Sequence, residues 1–381
     1  MKILVILLVL VVVAAVLAVL YLKYRLDNTS DNKDLEAALD SEVMKLIQHD
    51  ASYGMVIGVY KDGKSFIKGY GTVNKESATV PSASTVFQIA SVSKLFTTSL
   101  LQILCDEGVL RLDATLAELI GDSIALSPAA QRVTLKQLAT HTSGFPSFPK
   151  SHVIKAIELA GKENLMHPYS HLGPKYIFEY LETTEGYGTS GRFEYSNFGM
   201  GLLGHVLELV TKRNLESLAA EKLLAPLDMR NTAITLTPEM KEHLAQGYTA
   251  SGEPSPVWTF SALAGAGAFN SNAEDMMRFV RANIENGSPM SRTLKKMHEP
   301  QFGGDTGIGW LQPMFLDKFV GNKTVVWHSG MVGGYASYVS VDTKSKIGIV
   351  VFSNKAVDVR MSGIMLRRQA RTQSWSPQHA I

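Results

Sequence analysis

Phe87-Gln88-Ile89-Ala90-Ser91-Val92-Ser93-Lys94-Leu95-Phe96 carries the chain from a polar turn rich in Ser and Thr into an apolar helix. Ser91 stands where the helix opens, at the place of an N-cap or first-turn hydroxyl, and Lys94 follows one turn later on the same face. A serine with a lysine at that spacing is a nucleophile beside a base. The partial positive charge of the helix N-terminus and the apolar neighbours Ile89, Val92, Leu95 and Phe96 both disfavour an ammonium. They lower the lysine pKa toward a neutral amine that accepts the serine proton.

The same spacing recurs at Ser30/Lys33, Ser65/Lys68 and Ser147/Lys150, so the tetrapeptide alone selects nothing. Context does. Ser30 lies in a polar linker, Ser65 and Lys68 fall on opposite faces of a strand-like run, and Ser147 precedes Pro149; only Ser91 starts a helix.

With 381 residues, 45% hydrophobic and 19% charged, the chain can bury a large core as one large domain or two smaller ones. Net charge is +2, and with Lys2, Lys23 and Arg25 set aside the balance is 34 basic to 35 acidic residues, which gives no basic field for nucleic acid. Ile3 to Leu22 is a run of 20 apolar residues, the length of a bilayer-spanning helix. It reads as an uncleaved signal-anchor over residues 1–26. The expectation is a single-pass membrane protein with an extracytoplasmic catalytic domain, periplasmic in a bacterium, or a secreted one if the segment is cleaved. The single cysteine, Cys105, excludes an internal disulfide and reads as core packing.

Residues 27–34 form a polar linker and residues 35–375 the folded domain, beginning with a helix over about 35–49. Met55–Tyr60 and Ser65–Tyr70 flank Lys61-Asp62-Gly63-Lys64 as a hairpin. A helix runs from Ser91 to Asp106, and a mainly helical insertion occupies about 110–260, with a helix in 133–146 that ends in a Gly-Pro-marked turn and helices over 198–211 and 214–224. Ala262–Phe269 is a small-residue stretch where backbone approaches something closely, followed by a capped helix over 271–283. Thr324–Trp327, Ala336–Val341 and Ile347–Phe352 read as strands with a turn over Gly330–Gly334, and Arg360–Thr372 as a basic helix packed on the sheet. The pattern predicts an α+β fold: an antiparallel sheet built from N- and C-terminal segments, flanked by helices, with the site at its junction with the helical insertion.

Two further segments carry chemistry. Tyr195-Ser196-Asn197 is the one Tyr-x-Asn of the chain, on a loop before an apolar helix. The phenol can relay a proton and the amide can bind a substrate amide; the alternative is a helix cap with a packed aromatic. His328-Ser329-Gly330 ends a strand and can present backbone groups to an extended substrate and an oxyanion; the alternative is a strand end with a surface histidine. His141, His205 and the other histidines read as structural. There is no Gly-x-Ser-x-Gly elbow, no metal-ligand motif and no phosphate loop, so no cofactor or metal is expected.

Together the three motifs resemble the serine β-lactamase and penicillin-binding protein superfamily, in the branch of class C β-lactamases, DD-peptidases and related esterases. Also part of the likeness, which covers about residues 45–370, are Leu138–Gly144, Asn272–Met276, Gly307-Ile308-Gly309-Trp310 and Val350–Asn354. The resemblance implies Ser91 as acylated nucleophile, Lys94 as base, Tyr195 as proton shuttle and Asn197 as a ligand of the substrate amide. It also implies the N–H groups of Ser91 and Met331 as oxyanion hole, with His328, Ser329 and Gly330 lining the substrate. Class C β-lactamases carry lysine where this chain has His328. The expected substrate is therefore a small molecule or peptide cleaved at an amide or ester, as in DD-peptidases and esterases, with β-lactam hydrolysis or non-catalytic ligand binding as alternatives.

Overall fold

Strand register explains how the two ends of the chain share one sheet. In the computed structural model, residues 34–47, 53–149, 167–184, 191–304, 306–313, 317–318 and 324–375 are described, with Leu17 and Glu158. The hairpin of β1 (Met55–Lys61) and β2 (Lys64–Tyr70) turns at Asp62-Gly63, both at positive φ. Two strand pairs, β3 (Val86–Gln88) with β6 (Asn270–Asn272) and β4 (Gly247–Tyr248) with β5 (Pro254–Ser255), make small separate ladders. The C-terminal meander is β7 (Val325–Val332), β8 (Tyr335–Asp342) and β9 (Ile347–Ser353). The five-stranded antiparallel sheet has the order β2-β1-β9-β8-β7, with Met55 opposite Ser353.

Period-two alternation sorts the strands' side chains onto two apolar faces. Met55, Ile57, Val59, Ile349 and Val351 pack with helices α1 (Leu35–Ile47) and α6 (Arg360–Thr372). Val56, Val339, Val350 and Phe352 face the larger core, which contains α2 (Ser93–Asp106), α3 (Leu135–Ala139), α4 (Asn197–Thr211) and α5 (Ala273–Ile284). Helix α5 lies close to the sheet because Gly348 has no side chain: a Cβ there would sit 2.1 Å from Val280 Cγ1. The basic residues of α6 do not form a solvated stripe. Arg367 is fully buried and pairs with Asp317 and the Tyr338 hydroxyl.

Several local expectations change. Ser91 does not open an α-helix: a 3-10 turn over Ala90–Val92 precedes α2, which starts at Ser93. Ala90 sits at φ +50°, and the sharp bend is closed by the Val92 N–H to Ile89 C=O bond. Strand β7 does not stop at Trp327; it pairs with β8 through Val332, and the turn is confined to Gly333-Gly334. Helix α3 has only five residues, between a Thr134/Gln137 capping box and Thr140. The segment after Asn214 is helical over Leu215–Ala219 and widens to one π turn at Ala220–Leu224.

The single-pass localisation expected from Ile3–Leu22 is also corrected. No helix among the described residues is long and apolar enough to cross a membrane, so anchoring is unsupported. The apolar run, Leu17 apart, and the 27–33 linker lie outside the described residues.

Candidate active site

The 3-10 turn at Ser91 is held on three sides. Ile89 N–H donates to Phe269 C=O (3.0 Å), Ser337 Oγ donates to Ile89 C=O (2.7 Å), and Phe269 N–H donates to Ser93 Oγ (3.1 Å). The fourth side is Gly330 of β7. A Cβ on Gly330 would lie 2.5 Å from Ser91 N and 2.7 Å from Ile89 O, so only glycine lets the strand edge reach the turn.

Lys94 is fully buried beneath Ser91. Its Nζ is 2.9 Å from Ser91 Oγ and donates to Ala266 C=O at 2.6 Å. The small-residue stretch expected to allow close approach does so: Gly265 lies against Gly204, and its carbonyl accepts from Thr97 Oγ1 at 2.9 Å. Burial alone pushes the Lys94 ammonium well below its ordinary pKa. A neutral amine keeps two N–H bonds and one lone pair, which suits a carbonyl on one side and a hydroxyl proton on the other.

Tyr195 reaches the same point from the loop before α4. Its hydroxyl faces Ser91, and its ring lies 5.1 Å from Lys94 Nζ. Burial raises the phenol's pKa, so it stays a proton donor. Ser196 caps α4 by accepting from Gly199 N–H (2.8 Å), as the cap reading of this tripeptide has it. Asn197 occupies the first turn of α4 and its Nδ2 donates to Ser147 Oγ (3.3 Å); it is not on the cleft wall.

On β7, His328 is buried rather than a surface residue, with 1% of its surface exposed. Its Nδ1 is 2.8 Å from Ser329 O, and since a carbonyl only accepts, Nδ1 carries the proton. Burial, with Lys94 nearby, lowers its pKa to about 3, so the ring is neutral and not partly protonated. The two-residue turn puts Met331 opposite Ala336 in a non-hydrogen-bonded pair, which turns its N–H to the open strand edge beside Ser91.

A cleft of about 330 Å³ is lined by Ser91, Tyr195, His328, Ser329, Gly330 and Met331, with Lys94 below its floor. The motifs did not reveal the rest of its wall: Leu311, Trp327, Ser337, Asp358, Val359 and Arg360. Arg360 already meets Asp358 through Nε at 2.8 and 3.0 Å and Nη2 at 2.5 Å. His141, read as structural, stacks on Tyr195 with ring centroids 4.4 Å apart. The segment Leu138–Gly144 was the available signal, although nothing in it assigned the ring a partner. Cys105 is half-buried against the core with its thiol pushed up to about 11, which makes it a poor nucleophile.

A Beta-lactamase family model matches residues 39–373. A β-lactamase of Pseudomonas fluorescens is 26% identical over 360 residues, covering 84% of this chain and 94% of that protein. Protein flp of Staphylococcus aureus is 26% identical over 326 residues, and the match spans 62% of its length. Among solved structures, a β-lactamase/D-alanine carboxypeptidase from Pseudomonas syringae superposes with TM-score 0.75 at 23% identity over 91% of this chain and 99% of that one, a likeness of fold. The α+β architecture is thus shared with these proteins.

Proposed function

Since the chain belongs to the Beta-lactamase family and is a serine hydrolase of that superfamily, we propose that Ser91 is its acylated nucleophile and that small esters or amides are its preferred substrates. In this reading the Lys94 lone pair takes the Ser91 proton as Oγ attacks the carbonyl carbon. The carbonyl oxygen gains the negative charge and is met by the N–H groups of Ser91 and Met331. On collapse, the bond to the leaving group breaks and Tyr195 gives that group its proton, recovering one from the Lys94 ammonium. Water then repeats the sequence on the acyl-enzyme. Asn197 would bind the acyl amide after leaving Ser147.

The neutral imidazole of His328 carries the choice of substrate. With that ring uncharged and the Arg360 guanidinium occupied by Asp358, the cleft has no free cation among its lining side chains for a carboxylate. That favours uncharged esters and amides over β-lactams. A D-amino peptide is the second reading, supported by Arg360 on the cleft wall, which could exchange Asp358 for a substrate carboxylate.

The test is a panel of 4-nitrophenyl acetate, a D-Ala-D-Ala peptide and nitrocefin, run on wild type and Ser91→Ala. Ester turnover should exceed nitrocefin turnover, and a mass adduct of one acyl group should form on wild type only. Equal labelling of Ser91→Ala would overturn the nucleophile assignment, and nitrocefin as the best substrate would overturn the substrate preference.

A further inference from the structure

His141 carries two local costs. It is a non-glycine residue at φ +56°, in the left-handed region, and its ring is buried with Nε2 lacking a hydrogen-bond partner. An unpaired buried donor costs about 1–3 kcal/mol, so a residue that tolerates both needs a reason. The reason lies on the other nitrogen. Ser196 N–H donates to His141 Nδ1 at 3.1 Å, so Nδ1 is a lone pair and the orphaned Nε2 bears the proton.

That bond belongs to a clamp on one short segment. Glu194 N–H donates to His141 C=O (2.7 Å), Gly191 N–H to Thr142 C=O (2.8 Å), and Ser196 Oγ to Pro146 C=O (2.8 Å). The His141 bonds fall on the residues immediately before and after Tyr195, while the ring lies against Tyr195 itself, tilted by 33°. Phe193 meets the same ring edge-on at 5.9 Å. We propose that His141 is a positioning residue for the reaction: its Nδ1 lone pair holds Tyr195 in the register that brings the phenol to Ser91. This rests on the reading of Tyr195 as proton relay.

The charged and titratable groups that face His141 are Lys94 from α2, His328 from β7 and Tyr195 from its own loop. Burial and the first two keep the imidazole's pKa well below its ordinary value, so the lone pair is present throughout the neutral range. A protonated ring would turn Nδ1 into a donor facing the Ser196 N–H, with no bond possible between them.

Two amides separate this role from packing. In His141→Asn the side-chain oxygen falls where Nδ1 lies, and Asn tolerates the left-handed backbone. In His141→Gln the amide falls near Nε2 and leaves the Ser196 N–H unpaired. With 4-nitrophenyl acetate and the full chain, His141→Gln should lower kcat about 30-fold or more with KM changed less than about threefold. His141→Asn should stay within about fivefold of wild type, and thermal melts should find both variants folded. A folded His141→Asn as impaired as His141→Gln, or a His141→Gln with kcat near wild type, overturns the proposal. Tyr195→Phe run beside them locates the fault: wild-type kcat there would overturn the relay reading on which the proposal stands.

Discussion

Lys94 illustrates the conflict between stability and chemistry at the scale of one residue. Its pKa is lowered in the folded chain and ordinary in the unfolded chain, so the unfolded state binds the extra proton across neutral pH. Folding is therefore opposed there, and the opposition fades as pH rises toward the ordinary lysine value. Lys94→Met should abolish ester turnover yet raise stability by about 1–2 kcal/mol at pH 7, a gain that shrinks by pH 10, read by urea denaturation. An unchanged or lowered midpoint at pH 7 would mean that the buried amine costs nothing. The spacing of Ser91 and Lys94 and the apolar run after them made this pair legible in the sequence. The positive φ of Ala90 was not, because no side-chain pattern distinguishes an alanine bent by the sheet beside it. The neutrality of His328 also escaped, since Ser329 O and the burial that sets it are known only once β7 is placed.

Between β7 and the 3-10 turn, the decisive contact is backbone against backbone. Gly330→Ala would set a methyl carbon 2.5 Å from Ser91 N and 2.8 Å from Ala90 Cβ, so strand and turn must separate. The expected result is a loss of about 100-fold or more in kcat, as for a displacement near 1 Å. Stability should fall by about 1–3 kcal/mol, as for other overpacked sites. Activity within about threefold of wild type would show that the edge need not touch the turn. The sequence reading ended this strand early because Ser329, Gly330 and Met331 lack strand character; pairing with Ser337 and Ala336 overrides local preference. Caps were easier to read. Thr237 before Pro238 accepts from Met240 N–H, a local bond of the kind that a Thr-Pro pair marks.

Across the whole molecule, three histidines among the described residues, two buried and one half-buried, set the response to acid. The pKa of His298, which bonds Asn283 at 2.8 Å, is lowered by burial to about 3; His328 is lowered likewise, and His141 is also held low. Each is neutral when folded and takes a proton when unfolded below its ordinary pKa near 6.5, so stability falls with pH there. At about 1.4 kcal/mol per histidine per pH unit, the three together should remove about 4 kcal/mol between pH 7.5 and 5.5. His298→Gln, remote from the cleft, should reduce that drop by about a third; an unchanged drop would assign the acid sensitivity elsewhere. At this scale the α+β architecture was legible, because strand periods at both ends and helical periods between them leave few ways to close a sheet. Localisation was not: an apolar run has the length of a span, but length alone does not establish one. The register that places Met55 beside Ser353 also has a cost in time. During synthesis β1 emerges with an open edge, and 286 residues separate Lys61 from its partner Ile347, which at about 5–20 residues per second is a wait of roughly 15–60 s. For that interval the nascent hairpin must be shielded from other unpaired strands, and the turn at Ser91 must wait for the strand edge that packs against it.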